Sequence, residues 1–313
     1  MVGSPFMSIM DKEALRNTSP YLIESLSDFT LFRLRFTLNP LESIHLGPDD
    51  TKGDRWRGGF GEALRSLACF YRWEETKCED CNLSEGCLFY QWFAIDRVHP
   101  FIMRPELDGK KVYKHGEDMV LEIVLVGDAI SHAKKFVKTI EELGRRGIGR
   151  RRGRFCIRQV KGELIRFKDI VEGADPSERL LMELLTPLKM KDHEEGIYID
   201  RFTFRAFFKL LLKRIINLNN LYCKGMEYDK ELIESDKQRL FRKAESIEVR
   251  AITEWKDYRR YSTRQRKSLR IGGQIGLVEM RGETGAFYPF LKIGEFTGAG
   301  SNTTSGFGRY ILL

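Results

Sequence analysis

Apolar and polar residues alternate over "FTLFRLRFTL" near the start of the chain. Phe32, Leu34, Phe36 and Leu38 fall on one face, and Arg33, Arg35 and Thr37 on the other. Alternation with period two predicts a half-buried strand. In "RWRGGFGEALRSLACFYRW" the period changes, with Phe60, Ala63, Leu64 and Leu67 at helical spacing. "HPFIMRPEL" and "DMVLEIVLVG" read as two strands. "DAISHAKKFVKTIEELG" predicts an amphipathic helix, with Asp128 as N-cap and Gly144 as stop. Its buried stripe is Ala129, Ala133, Phe136, Val137, Ile140 and Leu143. A basic glycine loop and the strand "RFCIRQV" follow. The order is β-α-β-β-α-β, the ferredoxin-like arrangement.

The second half repeats that order. It runs through the strand "RLLMELLTPLKM", the long helix "FRAFFKLLLKRIINLNNLYC" and a charged helical insert, "KELIESDKQRLFRKAES". "SIEVRAITEW" and "SLRIGGQIGLVEM" pair as strands, a short element surrounds "GAFYPFLKIGEF", and "FGRYILL" is the last strand. The expected fold class is α+β: two tandem ferredoxin-like (RRM-like) domains, residues 20–165 and 178–313. Lys161–Ser177 is the expected link, and each domain carries a glycine-rich loop before its last strand.

Composition narrows the partners. The 313 residues carry a net charge of +8, which favours a polyanion. No secretory signal and no apolar run of membrane-spanning length is visible, so a reducing cytoplasm is expected and no membrane partner. There, six cysteines read as thiols or ligands rather than disulfides. Cys69, Cys78, Cys81 and Cys87 are spaced C-x8-C-x2-C-x5-C, which suits a tetrahedral metal. Structural zinc is the expectation; an iron–sulfur cluster uses the same ligands, and free thiols are the alternative. Cys156 and Cys223 fall within strand and helix patterns and read as core.

The first glycine loop, "LGRRGIGRRRGRF", carries Arg145, Arg146, Arg150, Arg151, Arg152 and Arg154. Glycine lets a phosphate approach backbone amides, and arginine grips it with a planar fork. A solvated basic turn is the bland alternative. The last loop, "TGAGSNTTSGFGRY", has fewer charges but more glycine, with Ser301, Thr303, Thr304, Ser305 and Arg309. A third patch, "WKDYRRYSTRQRKSLRIGG", interleaves Trp255, Tyr258 and Tyr261 with Arg259, Arg260, Arg264, Arg266, Lys267 and Arg270. Aromatics there would stack on unpaired bases while the cations track a backbone. An ordinary hairpin with snorkelling arginines is the other reading.

The stretches "RGGFGEALRSLAC", "CEDCNLSEGC", "LGRRGIGRRRGRF", "WKDYRRYSTRQ", "GGQIGLVEM" and "GEFTGAGSNTTSGFGRY" together resemble the CRISPR repeat-processing endoribonuclease family, within the repeat-associated RNA-binding superfamily. The resemblance implies an enzyme that binds CRISPR repeat RNA and cuts once per repeat to release guide RNAs. It implies metal-independent attack by a 2′-hydroxyl, giving a cyclic phosphate and a 5′-hydroxyl. It places Gly298, Gly300, Gly306 and Gly308 against RNA, and Gln265–Met280 along a hairpin stem or its base. It also implies a general base near the first helix. That helix has no histidine, so His45 just upstream is the candidate base, with Lys52 as phosphate stabiliser and Tyr71 behind it. His99 is expected to pack, His132 to be solvated, and His193 lies in an acidic loop. CRISPR effector or adaptation proteins are the expected further partners. The alternative is a non-catalytic guide-RNA-binding subunit of an effector complex.

Overall fold

A computed structural model describes residues 18–71, 77–173, 178–190, 201–223, 225, 228–262 and 267–313, with backbone alone for 258–262 and 267–270. Helix α1 (Pro20–Ser25) precedes the first sheet. Then come β1 (Thr30–Pro40), β2 (Ile44–His45), α2 (Asp49–Ala68), β3 (Phe101–Pro105), β4 (Val112–Tyr113) and β5 (Met119–Val126). A short 3₁₀ stretch leads into α3 (Ala133–Arg146), which is followed by β6 (Phe155–Arg166) and α4 (Phe167–Glu172). The second half holds β7 (Arg179–Leu188), α5 (Phe204–Tyr222), α6 (Lys230–Glu245), β8 (Glu248–Ser262), β9 (Lys267–Arg281), α7 (Tyr288–Thr297) and β10 (Tyr310–Leu312).

The protein is thus α+β. The first sheet runs β3-β5-β1-β6 and the second β10-β7-β9-β8, so in each the half's first strand lies between its last and its third. A two-stranded ribbon, β2-β4, stands apart from both. Two compact units result. One is Leu31–Leu164 with Thr304–Gly306; the other holds Ile165–Thr303, Phe307–Leu313 and the segment before Leu31.

In the first unit β1 buries Leu34, Phe36 and Leu38 against Trp56, Phe60 and Leu64 of α2 and Phe136, Ile140 and Leu143 of α3. Phe60 stacks on Phe136 at 5.3 Å, and Trp56 meets Phe155 edge-on at 5.6 Å. Each such side chain contributes about 1.5–3 kcal/mol by leaving water. In the second unit Phe204, Phe207, Phe208, Leu211, Leu212, Ile215 and Leu218 form the buried face of α5. Tyr310 of β10 closes this core, donating its hydroxyl to the Leu291 carbonyl at 2.7 Å. No described helix is long and apolar enough to cross a membrane.

Several boundaries differ from the sequence reading. Asp128 lies in the 3₁₀ stretch Gly127–His132, and the α-helix runs on through Gly144 to end at Gly147, where φ is +81°. The expected link Lys161–Ser177 is instead the end of β6 and helix α4 as far as it is described. Residues 18–30 group with the second unit, where the Leu22 amide donates to the buried Asp236 carboxylate at 2.9 Å.

Candidate functional site

His45 ends β2, paired with Val112 of β4. The next two amides, Leu46 and Gly47, both donate to the Lys111 carbonyl at 3.0 Å. The basic loop clamps this ribbon from one side. Ile148 and Gly153 exchange both backbone hydrogen bonds, at 3.0 and 3.1 Å, so the loop closes on itself. The Arg150 amide then donates to the His45 carbonyl at 3.2 Å. Glycine is required by these approaches. A Cβ at Gly149 would stand 2.4 Å from the His45 carbonyl oxygen, and one at Gly147 2.0 Å from that of Arg152. The loop's glycines therefore serve chain-to-chain contact, while its six arginines face outward, all exposed.

Those arginines divide by their partners. Arg152 pairs with Glu62 at 2.9 Å, Arg154 with Glu42 at 2.7 Å, and Arg145 with Glu142, which Arg146 approaches at 3.8 Å. The hydrogen bond from Arg154 holds the Glu42 carboxyl below its usual range. Among the described residues, the Arg150 and Arg151 side chains make no ion pair. Their charge is available to a ligand.

Lys52 is not. It is 0% exposed, and its Nζ lies 2.6 Å from Asp49, 2.6 Å from Asp108, 2.9 Å from the Tyr113 hydroxyl and 3.3 Å from the Glu106 carbonyl. Burial alone would depress its pKa, but the bonds to Asp108, Asp49 and Tyr113 outweigh burial and raise it. A lysine sealed by two carboxylates has no charge left for phosphate, which corrects the expected stabiliser role. Burial also pushes the Tyr113 hydroxyl up to about 12.

The carboxy-terminal loop packs closely on its own chain. Gly298, Thr303, Gly306 and Gly308 are buried, and Gly300 and Ser301 half-buried. The Ala299 amide donates to the Gly308 carbonyl at 3.0 Å, and the Gly308 amide to Pro187 at 3.1 Å. A Cβ at Gly308 would be 1.8 Å from the Ala299 carbonyl, and one at Gly300 2.5 Å from that of Lys189. The Arg309 amide donates to the Thr186 hydroxyl at 2.8 Å. These glycines let the chain pack on itself, so their number is no signal of RNA. Within the first unit, the Ser305 carbonyl lies against α2, 1.8 Å from where a Cβ at Gly53 would stand.

Arg259, Arg260 and Lys267 lie on the long β8–β9 hairpin, which pairs continuously from Glu248↔Arg281 to Ser262↔Lys267. Their side chains, and the whole of Arg264 and Arg266, lie outside the described residues. Trp255 is 43% exposed, with its indole N–H donating to Asp257 at 3.0 Å.

Cys69, Cys81 and Cys87 lie near enough to Cys78 for their charge to reach it. Burial raises the Cys78 thiol pKa, aided by nearby Cys69, Cys87 and Cys81. Yet Cys69 donates to the Tyr71 carbonyl at 3.2 Å, and Cys78 and Cys87 pack against the first core. Among the described residues no three His, Cys, Asp or Glu side chains gather to hold a metal. The four thiols suit zinc by chemistry. Cys156, expected in the core, is exposed.

The other histidines are occupied or remote. His99 packs beside Phe93 and Phe101, within 3.2 Å of Arg57. His132, expected in solvent, lies 5.0 Å from the Trp92 ring, and burial lowers its pKa. His115 is exposed, and His193 lies outside the described residues. Arg55 escaped the sequence reading: from α2 its guanidinium reaches back to the Leu46 carbonyl, beside His45. Its place three residues after Lys52, on the adjoining helical turn, was the available signal.

Two family models tile most of the chain. One, described as an N-terminal domain, matches residues 29–182, and the CRISPR-associated endoribonuclease Cas6 model matches residues 182–310. An uncharacterized protein of Archaeoglobus fulgidus is 22% identical over 286 residues, 82% of this chain and 90% of that protein. Thermus thermophilus Cas6 has a similar fold, with a TM-score of 0.57 at 13% identity over 91% of this chain and 99% of that one. A Cas6 product complex gives 0.57 at 15%, over 92% and 100%. A chain of a partial Cas6-RT-Cas1–Cas2 complex gives 0.60 at 12%, over 92% of this chain and 46% of that one.

Proposed function

Because the chain is a Cas6-like protein of the CRISPR repeat-processing family, we propose that it binds CRISPR repeat RNA and cleaves it without a metal. The 2′-hydroxyl beside the scissile bond attacks phosphorus and the bond to the 5′-oxygen breaks. A 2′,3′-cyclic phosphate forms, and the leaving 5′-oxygen takes a proton from water to become a 5′-hydroxyl. His45 takes the 2′ proton as general base. Arg150 and Arg151 hold the phosphate and offset the charge of the pentavalent intermediate. One observation supports this reading: the Arg150 amide donates to the His45 carbonyl at 3.2 Å, so the backbone of the basic loop meets that of the candidate base.

We read both halves as ferredoxin-like, which their matching strand orders support. The hairpin cations Arg259, Arg260, Arg264, Arg266 and Lys267 belong to the same proposed RNA surface. Likeness to a chain of a Cas6-RT-Cas1–Cas2 complex supports CRISPR proteins as further partners. A structural metal on Cys69, Cys78, Cys81 and Cys87 has no step in this mechanism.

The test is repeat RNA incubated with the protein in EDTA. We expect one cut per repeat and a cyclic phosphate end. A single 2′-deoxy substitution before that bond should abolish cutting and preserve binding. The second reading, a non-catalytic guide-RNA subunit, draws on the His45 ring, which no hydrogen bond orients among the described residues. Binding of unmodified repeat with no cut would favour it.

A further inference from the structure

We propose that Arg55 contacts the scissile phosphate, taking the role that Lys52 cannot fill. The inference rests on the cleavage reading above and adds a residue to it.

Arg55 lies one turn beyond Lys52 on α2. Where Lys52 points into a carboxylate cage, Arg55 turns back over the segment that follows His45. Its Nη1 donates to the Leu46 carbonyl. Gly47 sits at φ +70°, which favours glycine, and a Cβ there would stand 2.3 Å from Nη1 and 3.2 Å from Nη2, so the guanidinium lies directly over this residue. Two cationic elements thus meet Ile44–Gly47. The Arg150 amide holds the His45 carbonyl, and the Arg55 guanidinium holds the Leu46 carbonyl.

Most arginines near this ribbon have a carboxylate: Arg152 has Glu62, Arg154 has Glu42, and Arg145 and Arg146 share Glu142. Among the described residues, Arg55 has none. Burial lowers its pKa below the usual arginine value, and no acidic neighbour offsets the shift. A partly desolvated cation without a counter-charge gains most from an incoming anion. One edge of the guanidinium holds Leu46, leaving further N–H groups to bind two phosphate oxygens. The amino end of α2 does not compete for that anion, because Asp49 and Asp50 occupy its first turn.

The bland alternative is that Arg55 merely pins the turn. Single-turnover cleavage of repeat RNA, equilibrium binding and thermal unfolding separate the two for Arg55→Met and Arg55→Ala. We expect cleavage to fall by about 100- to 1,000-fold, as for loss of one transition-state donor. Millimolar guanidinium ion should restore part of the rate to Arg55→Ala. Wild-type cleavage in Arg55→Met overturns the proposal, as does a rate loss matched by a lower melting temperature with no rescue. If the wild-type protein binds repeat RNA without cutting it, the cleavage reading fails by itself. The phosphate contact is then read from binding. Arg55→Met must lower the slope of log K against log salt by about one unit, and an unchanged slope overturns it.

Discussion

At the residue scale, identity alone did not reveal the surroundings of Lys52. Lys52 was legible as a charge near the candidate base, but its burial was not. Its partners Asp108 and Tyr113 lie 56 and 61 residues further along the chain. Lys52→Met leaves Asp49 and Asp108 without their shared cation. Both carboxylates keep some contact with water, at 29% and 20% exposure. The expected loss therefore falls near or below the low end of the roughly 3–5 kcal/mol for breaking a buried pair. Burial alone would raise the Asp108 pKa, but bonds from Lys52 and Tyr113 hold it below 3.8. That stabilisation is present above the unfolded value and lost as pH falls through the folded one. Denaturant titrations from pH 7 down to 2 should show the loss below about pH 4 in the wild type and a flatter profile in Lys52→Met.

At the element scale, strands and helices followed their periodicity, and loops did not yield their reason. Glycine in "LGRRGIGRRRGRF" and "TGAGSNTTSGFGRY" marked close approach correctly, but the approaching group is the chain's own backbone. Gly308→Ala places a Cβ 1.8 Å from a carbonyl oxygen at φ +63°. It should destabilise the fold by more than about 2 kcal/mol in chemical unfolding, since positive φ alone costs an L-residue about 1–3. A fully stable variant with selectively weakened RNA binding would return that glycine to the RNA surface. The basic loop should divide by function. Replacing Arg150 and Arg151 together should lower the salt slope of RNA binding by about two units. Replacing Arg152 and Arg154, already paired with Glu62 and Glu42, should lower it by less. Equal slopes in the two double variants would contradict the division.

At the scale of the whole molecule, the repeated strand order was readable because each half alternates and then turns helical in the same sequence. Long-range pairings were not readable. Nothing local joins Leu22 to Asp236, or His45 to the loop at Arg150. The cysteine spacing suggested a closed metal site, yet Cys78 and Cys87 pack against the core while Cys69 donates to the chain just beyond it. Spacing sets which ligands are near in sequence; helix ends and core packing decide whether they converge. The +8 net charge is consistent with a polyanionic partner, and Arg150 and Arg151 make no ion pair among the described residues.

The most direct measurement is the single-turnover cleavage rate of His45→Ala on its repeat RNA in EDTA, alongside the dissociation constant. Loss of a general base predicts a rate at least about 100-fold lower with affinity changed less than about threefold. An unchanged rate in a protein that still cuts at one position would contradict the assignment of His45.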